Sequence, residues 1–208
     1  MRRVVLAALI SAGVVVGACG GSDYTYVKNS SQKVYFRIPG DWKFYGADDV
    51  IEAQIDAGAF TPDQADDFKR EQWMVAFDAG RAPKAFVDFL DAQAPRGFAR
   101  SRALGAEERD TYSLQSLRNE VVDLDQAQAA GALEVVDFDE LEVGRYHGVH
   151  FVVQLRDSTT SKFLTLEQTS LLDLSTKRVH TLVIGCAREC FDKHARSIHA
   201  VNESWTVR

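Results

Sequence analysis

Hydrophobic positions along the chain follow two spacings. Val34, Phe36 and Ile38 recur at every second residue, with Tyr35 and Arg37 between them, which is the pattern of a half-buried strand. Pro39-Gly40-Asp41 then turns the chain, and Trp42 and Phe44 follow. The spacing widens at Ile51 and Ile55, which predicts a helix over 48–57 that stops at Gly58. Thr61-Pro62 pairs a cap with proline at the first helical position, so a second helix is expected over 61–72. Trp73, Val75 and Phe77 alternate again. Ala85, Phe86, Phe89 and Leu90 fall on one helical face and predict a helix over 82–93, broken by Pro95-Arg96-Gly97. Leu114, Leu117, Val121 and Leu124 predict one amphipathic helix over 113–130, ended by Gly131.

Beyond Gly131 the period returns to two. Strands are expected over 133–143 and 148–157, joined by a turn over 144–148, and over 163–173 and 178–185, joined by a turn over 174–177. Consecutive strands linked this tightly pair antiparallel. From Ala187 onward, Phe191, Ala195, Ile198, Val201 and Trp205 form a helical stripe that should pack on the sheet. The class is α+β, a central antiparallel sheet flanked by helices. The expected organisation is a leader over 1–18, a tether over 19–33 and a single domain over 34–208.

The leader sets the compartment. Arg2 and Arg3 precede an apolar run from Val4 to Val16, which is too short to span a bilayer and the right length for a signal-peptide core. Val16-Gly17-Ala18-Cys19 matches the bacterial lipobox: a branched apolar residue, two small residues that let a peptidase approach, and a thiol to receive the lipid. Cys19 is therefore the expected lipid-attachment residue, and the protein is expected at the extracytoplasmic face of the cell membrane, held by its lipid chains. Asp23 to Lys33 is polar and reads as part of the tether.

Two cysteines remain, Cys186 and Cys190, four residues apart in a chain bound for an oxidising compartment. On a helical turn that spacing brings the Cα atoms within disulfide range, so a bond locking a strand–helix junction is expected. The spacing is not the C-x-x-C of redox catalysis, and a zinc site would need two further ligands, for which His180 and His194 are near in sequence. Composition adds one exclusion. With 24 Lys+Arg against 30 Asp+Glu the net charge is −6, so a phosphate-binding surface and a nucleic-acid partner are not expected.

Candidate chemistry is sparse. G-x-S-x-G, the P-loop, H-E-x-x-H and G-x-G-x-x-G are all missing. His147 and His150 form H-x-x-H, but residues three apart on a strand face opposite ways. Asp137, Asp139, Glu140 and Glu142 offer oxygens that suit calcium, or simply a solvated strand face. His180, His194 and His199 are the histidines from which a Ser–His–Asp set would have to be built. No cofactor and no metal are expected.

Val34-Tyr35-Phe36-Arg37-Ile38-Pro39-Gly40-Asp41-Trp42 is similar to the F-x-I-P-x-x-W opening of Mog1/PsbP-like proteins. Val183 to Cys186, Glu189 to Phe191 and the ending Ser204-Trp205-Thr206-Val207 resemble the terminal strand and helix of the same group. With the lipobox, the whole resembles actinobacterial lipoproteins of the LpqN type. The resemblance implies a central antiparallel sheet flanked by helices and a binding or accessory role, with links to envelope lipid handling and membrane transport machinery. It carries no binding residues over. The expected function is a non-enzymatic, membrane-tethered module whose partner is an envelope protein or lipid, marked by an apolar groove without converging ionisable groups. The alternative is an envelope hydrolase or metal-dependent enzyme, marked by a cleft where histidine and carboxylate meet.

Overall fold

The computed structural model describes residues 23–85, 88–89, 92–157, 160–175 and 177–208. The leader and Cys19 lie outside the described residues. The elements in chain order are β1 (Tyr24–Asn29), β2 (Val34–Pro39), β3 (Lys43–Tyr45), α1 (Ala47–Asp56), α2 (Pro62–Glu71), β4 (Gln72–Asp78), β5 (Arg96–Ala103), α3 (Leu114–Arg118), α4 (Leu124–Ala129), β6 (Leu133–Val143), β7 (Tyr146–Arg156), β8 (Phe163–Asp173), β9 (Arg178–Ala187), α5 (Arg188–Glu203) and β10 (Thr206–Val207). A seven-stranded sheet runs β3-β4-β5-β9-β8-β7-β6, and a three-stranded sheet runs β1-β2-β10. Every pairing is antiparallel. The expected α+β class, an antiparallel sheet flanked by helices, is what the structure has.

The large sheet divides two cores. On one face, α5 and the small sheet cover it: Phe36, Ile38, Trp42, Phe77, Leu182, Ile184, Phe191, Ile198 and Trp205 pack together. Trp42 stacks on Phe77 with ring centroids 5.9 Å apart. That ring needs Gly97 opposite it, because a Cβ there would sit 2.5 Å from two ring carbons and from the Val183 carbonyl. On the other face, Val50 of α1, Leu117 of α3 and Leu124 of α4 cover Val149, Phe151, Val153, Leu166 and Val183. The sheet's two edges differ. β3 has three residues and lies beside α1, whereas β6 has eleven and is exposed along most of its length.

Four expectations are corrected. Residues 24–29 are not tether but strand β1, because each residue from Tyr24 to Asn29 pairs with β2 and Val27 enters the core. The described residues of 82–93 contain no helix: the Asp78 carboxylate takes the Gly80 and Lys84 amides, and the Ala92 carbonyl accepts from the Ala187 amide. The helix expected over 113–130 is two short ones, since Asn119 Oδ1 accepts from the Leu124 amide and Asp123 caps α4 at Gln126. Trp205 follows the end of α5 instead of lying on it, and the chain then adds β10 to β2. Strand β5 was not expected at all.

Candidate functional site

The site forms where α5 stops covering the sheet. Alternation along β8 sends Glu167, Thr169 and Leu171 to the face that carries α5. His150 on β7 stands opposite Thr169, and Asp139 on β6 stands opposite His150. Steps of three and four along α5 bring His199, Asn202 and Glu203 down over the same strands. Because α5 packs on β8, β9 and β2, a cleft of about 380 Å³ remains between its C-terminal turn, β10 and the β6–β7 edge. Leu141, Val143, Leu171 and Val207 form apolar walls.

Its floor is polar. The Glu167 side chain is only 3% exposed and lies between two imidazoles: His199 Nδ1 is 2.6 Å from Oε2, and His150 Nε2 is 3.2 Å from Oε1. A buried carboxylate needs such partners. The hydrogen bond to Glu167 holds the His150 pKa above its ordinary value, against the opposing effect of burial. The charges of Glu167, Asp137 and Asp139 act in the same upward direction. Thr169 Oγ1 donates to Asn202 Oδ1 at 2.7 Å, leaving Asn202 Nδ2 buried without a hydrogen-bond partner. Trp205 Nε1 is buried and unpartnered as well. The cleft thus combines apolar walls with a His–Glu–His row, and two unpartnered donors lie buried in its lining residues. None of its lining residues among those described is Ser or Cys, and the Thr169 and Thr206 hydroxyls are already engaged.

The structure sorts the other candidates. Of the acidic run, Asp137 and Asp139 share a face with His150, and one ligand atom from each lies within 4.8 Å of the others, close enough to reach one divalent cation. Glu140 and Glu142 stand opposite Val149 and His147, on the other face. His147 and His150 are therefore split between the two faces, as their spacing implies, and His147 instead lies 3.9 Å from Glu142. Ser101 Oγ meets His180 Nδ1 at 2.6 Å; both residues are buried, and His180 lines only a small cavity of about 100 Å³ beside Asp173 and Arg178. Burial pushes the His180 pKa down to about 4, and the charge of Arg178 adds to the effect. His194 is half-buried, five positions before His199, and so lies on a different side of α5. Cys186 of β9 and Cys190 of α5 form a disulfide with Cα atoms 5.9 Å apart, so their sulfurs are not available as zinc thiolates.

Two points depart from the sequence reading. The cleft does contain converging ionisable groups, contrary to the groove expected of a binding module, and its histidine–carboxylate contacts are the mark expected of the alternative, an envelope enzyme. The pairing of Glu167 with His150 and His199 was also not foreseen, although a glutamate at an inward position of a strand rich in Leu and Thr was a legible sign.

No protein-family model matches the chain, and no curated protein matches it. Solved structures that it is similar to include cyanobacterial PsbP (CyanoP) from Synechocystis sp. PCC 6803, at 11% identity and a TM-score of 0.49, covering 93% of this chain and 99% of that one. Another is the Ran-binding protein Mog1p of Saccharomyces cerevisiae, at 11% identity and 0.47, covering 88% and 95%. A third is the T6SS immunity protein TplEi from Pseudomonas aeruginosa, complexed with "L" peptide, at 10% identity and 0.46, covering 91% and 99%.

Proposed function

We propose that this chain is a non-enzymatic binding or accessory module of the bacterial cell envelope. It is tethered at the extracytoplasmic face by lipid on Cys19 and uses the cleft under α5 to hold an envelope lipid. One observation carries this reading: apolar walls enclose about 380 Å³ beside two buried donors, Asn202 Nδ2 and Trp205 Nε1, that have no partner. A pocket of this size and mixed lining suits an amphipathic ligand whose ester, amide or hydroxyl oxygens satisfy the donors while its apolar part meets Leu141, Val143 and Leu171. The acidic groups Glu167, Glu203, Asp137 and Asp139 in and beside the cleft favour a neutral headgroup over an anionic one.

The test is purification of the protein from its native envelope, followed by lipid and protein mass spectrometry. A lipid should co-purify with the wild type and with Cys19→Ala, and be depleted from Leu141→Glu, which places a charge on the cleft wall. Cys19→Ala should also leave the membrane fraction with its fold unchanged. Recovery of no lipid above background, or equal recovery from Leu141→Glu, overturns the cleft reading. A membrane-bound Cys19→Ala protein overturns the anchor.

A second reading, a metal-dependent envelope enzyme, is favoured by the meeting of Asp137, Asp139 and His150 beside Glu167. Titration calorimetry with zinc, manganese and calcium separates the two. Stoichiometric binding that is lost in Asp139→Asn would favour the second.

A further inference from the structure

The outer edge of β6 is built unlike the rest of the surface. It is the last strand of the seven-stranded sheet, eleven residues long, and no strand pairs with its outer side among the described residues. Bare edges of this length are normally blunted by shortness, charges (lysine above all), proline or a β-bulge, and of these β6 has acidic charges and a bulge between Val135 and Asp137. The opposite edge uses the first device, since β3 has three residues. β6 contains no Lys, Arg or Pro. It displays Val135, Val136 and Val143, each 55% exposed, and Phe138, 41% exposed. Between them stand Glu134, Asp137, Asp139, Glu140 and Glu142. β-branched and aromatic residues with open backbone groups are what an added strand needs.

From this edge we infer a docking site: β6 receives an extended, basic segment of another protein as an eighth strand of the sheet. The charge pattern selects the occupant. A second copy of the chain would bring five carboxylates against five, and like charges on paired strands are destabilising. A segment that alternates Lys or Arg with Val, Ile or Thr places its cations on one face of the sheet, where they meet Glu140 and Glu142, and its apolar side chains on the other, where they meet Leu141 and Val143. The edge adjoins the proposed lipid cleft, which takes Leu141 and Val143 of β6 as walls. Glu140 and Glu142 point to the other face of the sheet, so an effect of changing them is not an effect on the cleft floor.

The experiment uses the full chain in detergent and three fluorescent peptides of about ten residues, a length that spans most of β6. One alternates lysine and valine, one alternates glutamate and valine, and the third is the lysine–valine peptide N-methylated at every second amide. Methylation keeps its charge and removes the donors of one edge. In fluorescence anisotropy the lysine–valine peptide should bind saturably, and the other two at least about tenfold more weakly. Amide exchange should slow on β6. The double variant Glu140→Lys/Glu142→Lys should reverse the preference between the two charged peptides while keeping the wild-type thermal transition. If that variant does not fold, the methylated peptide still tests strand pairing on the unaltered chain. Equal binding of the methylated peptide would reduce the site to charge alone and overturn the proposal. So would equal binding of the acidic peptide, or a dimer that protects the β6 amides without any peptide.

Discussion

Two glutamates are buried against the large sheet, one on each face, and their surroundings differ in kind. Glu120 is 5% exposed and is held by Arg100 at 2.8 Å, by Arg102 at 2.7 Å and by the Tyr112 hydroxyl. Arg102 also reaches Glu108 at 3.0 Å. Glu167 is buried to the same degree but is held by two imidazoles at the floor of an open cleft. The first network is made of permanent charges. Burial lowers the Arg100 pKa, whereas the hydrogen bond to Glu120 raises that of Arg102, and neither leaves the charged state at any physiological pH. The second is held by imidazoles, and the contact raises the pKa of one of them, His150. A scaffold and a site are therefore built from the same buried residue type, and the identity of the partners separates them.

The largest way to break this contrast is Glu120→Ala, which leaves Arg100 only the main-chain carbonyl of residue 120 and Arg102 only Glu108 and Tyr112 as partners. It should lower unfolding free energy by about 3–5 kcal/mol in urea titration, with little dependence on pH between 5 and 8.

His180 supplies a titrating, buried control outside the cleft. It titrates near 6.5 when unfolded and at about 4 when folded, so over that interval the unfolded chain binds more protons and stability rises with pH. Its contribution is complete above pH 6.5, is lost as pH falls through 4, and amounts to about 3 kcal/mol at most. Denaturation of His180→Asn across pH 4–7 should show a flatter acid limb than the wild type.

The disulfide fixes the joint between the strand that carries the core and the helix that carries His199 to Glu167. The pair Cys186→Ala/Cys190→Ala should lose about 2 kcal/mol, read from the urea midpoint, while the Glu120 network stays intact.

The smallest effect is expected at the cleft itself. Glu167→Gln weakens two charge-assisted hydrogen bonds and should cost about 1–2 kcal/mol in urea denaturation. The effect has a sign in pH. The folded His150 pKa lies above its ordinary 6.5, so its stabilisation is complete below 6.5 and is lost as pH rises through the folded value. The variant should therefore differ most from the wild type in acid and least in alkali, opposite to His180→Asn.

The contrast also explains what the sequence disclosed. Alternation located β2, β4 and the meander from β6 to β9, because one side of each strand meets a hydrophobic core. It failed at β5, where Arg100 and Arg102 occupy inward positions that a period-two reading scores as polar, and only Glu120, distant in sequence, makes them acceptable there. It failed at β1 because Tyr24, Thr25 and Asn29 look like linker until β2 supplies the hydrogen bonds. The helix expected over 113–130 had the correct stripe, but Asn119 and Asp123 commit their side chains to backbone amides and split it. The cleft was least legible. His150, Glu167 and His199 come from three elements, and their meeting depends on sheet register and on where α5 ends.

Strand β1 begins five residues after Cys19, and the Asp23 carbonyl already accepts from the Gly40 amide. With lipid on that cysteine, even a straight chain from Cys19 to Tyr24 reaches at most about 18 Å. The body would ride low on the bilayer, not on a stalk, with the Asp23–Gly40 corner turned toward the headgroups. A cargo would then change hands within a lipid's own length of the leaflet.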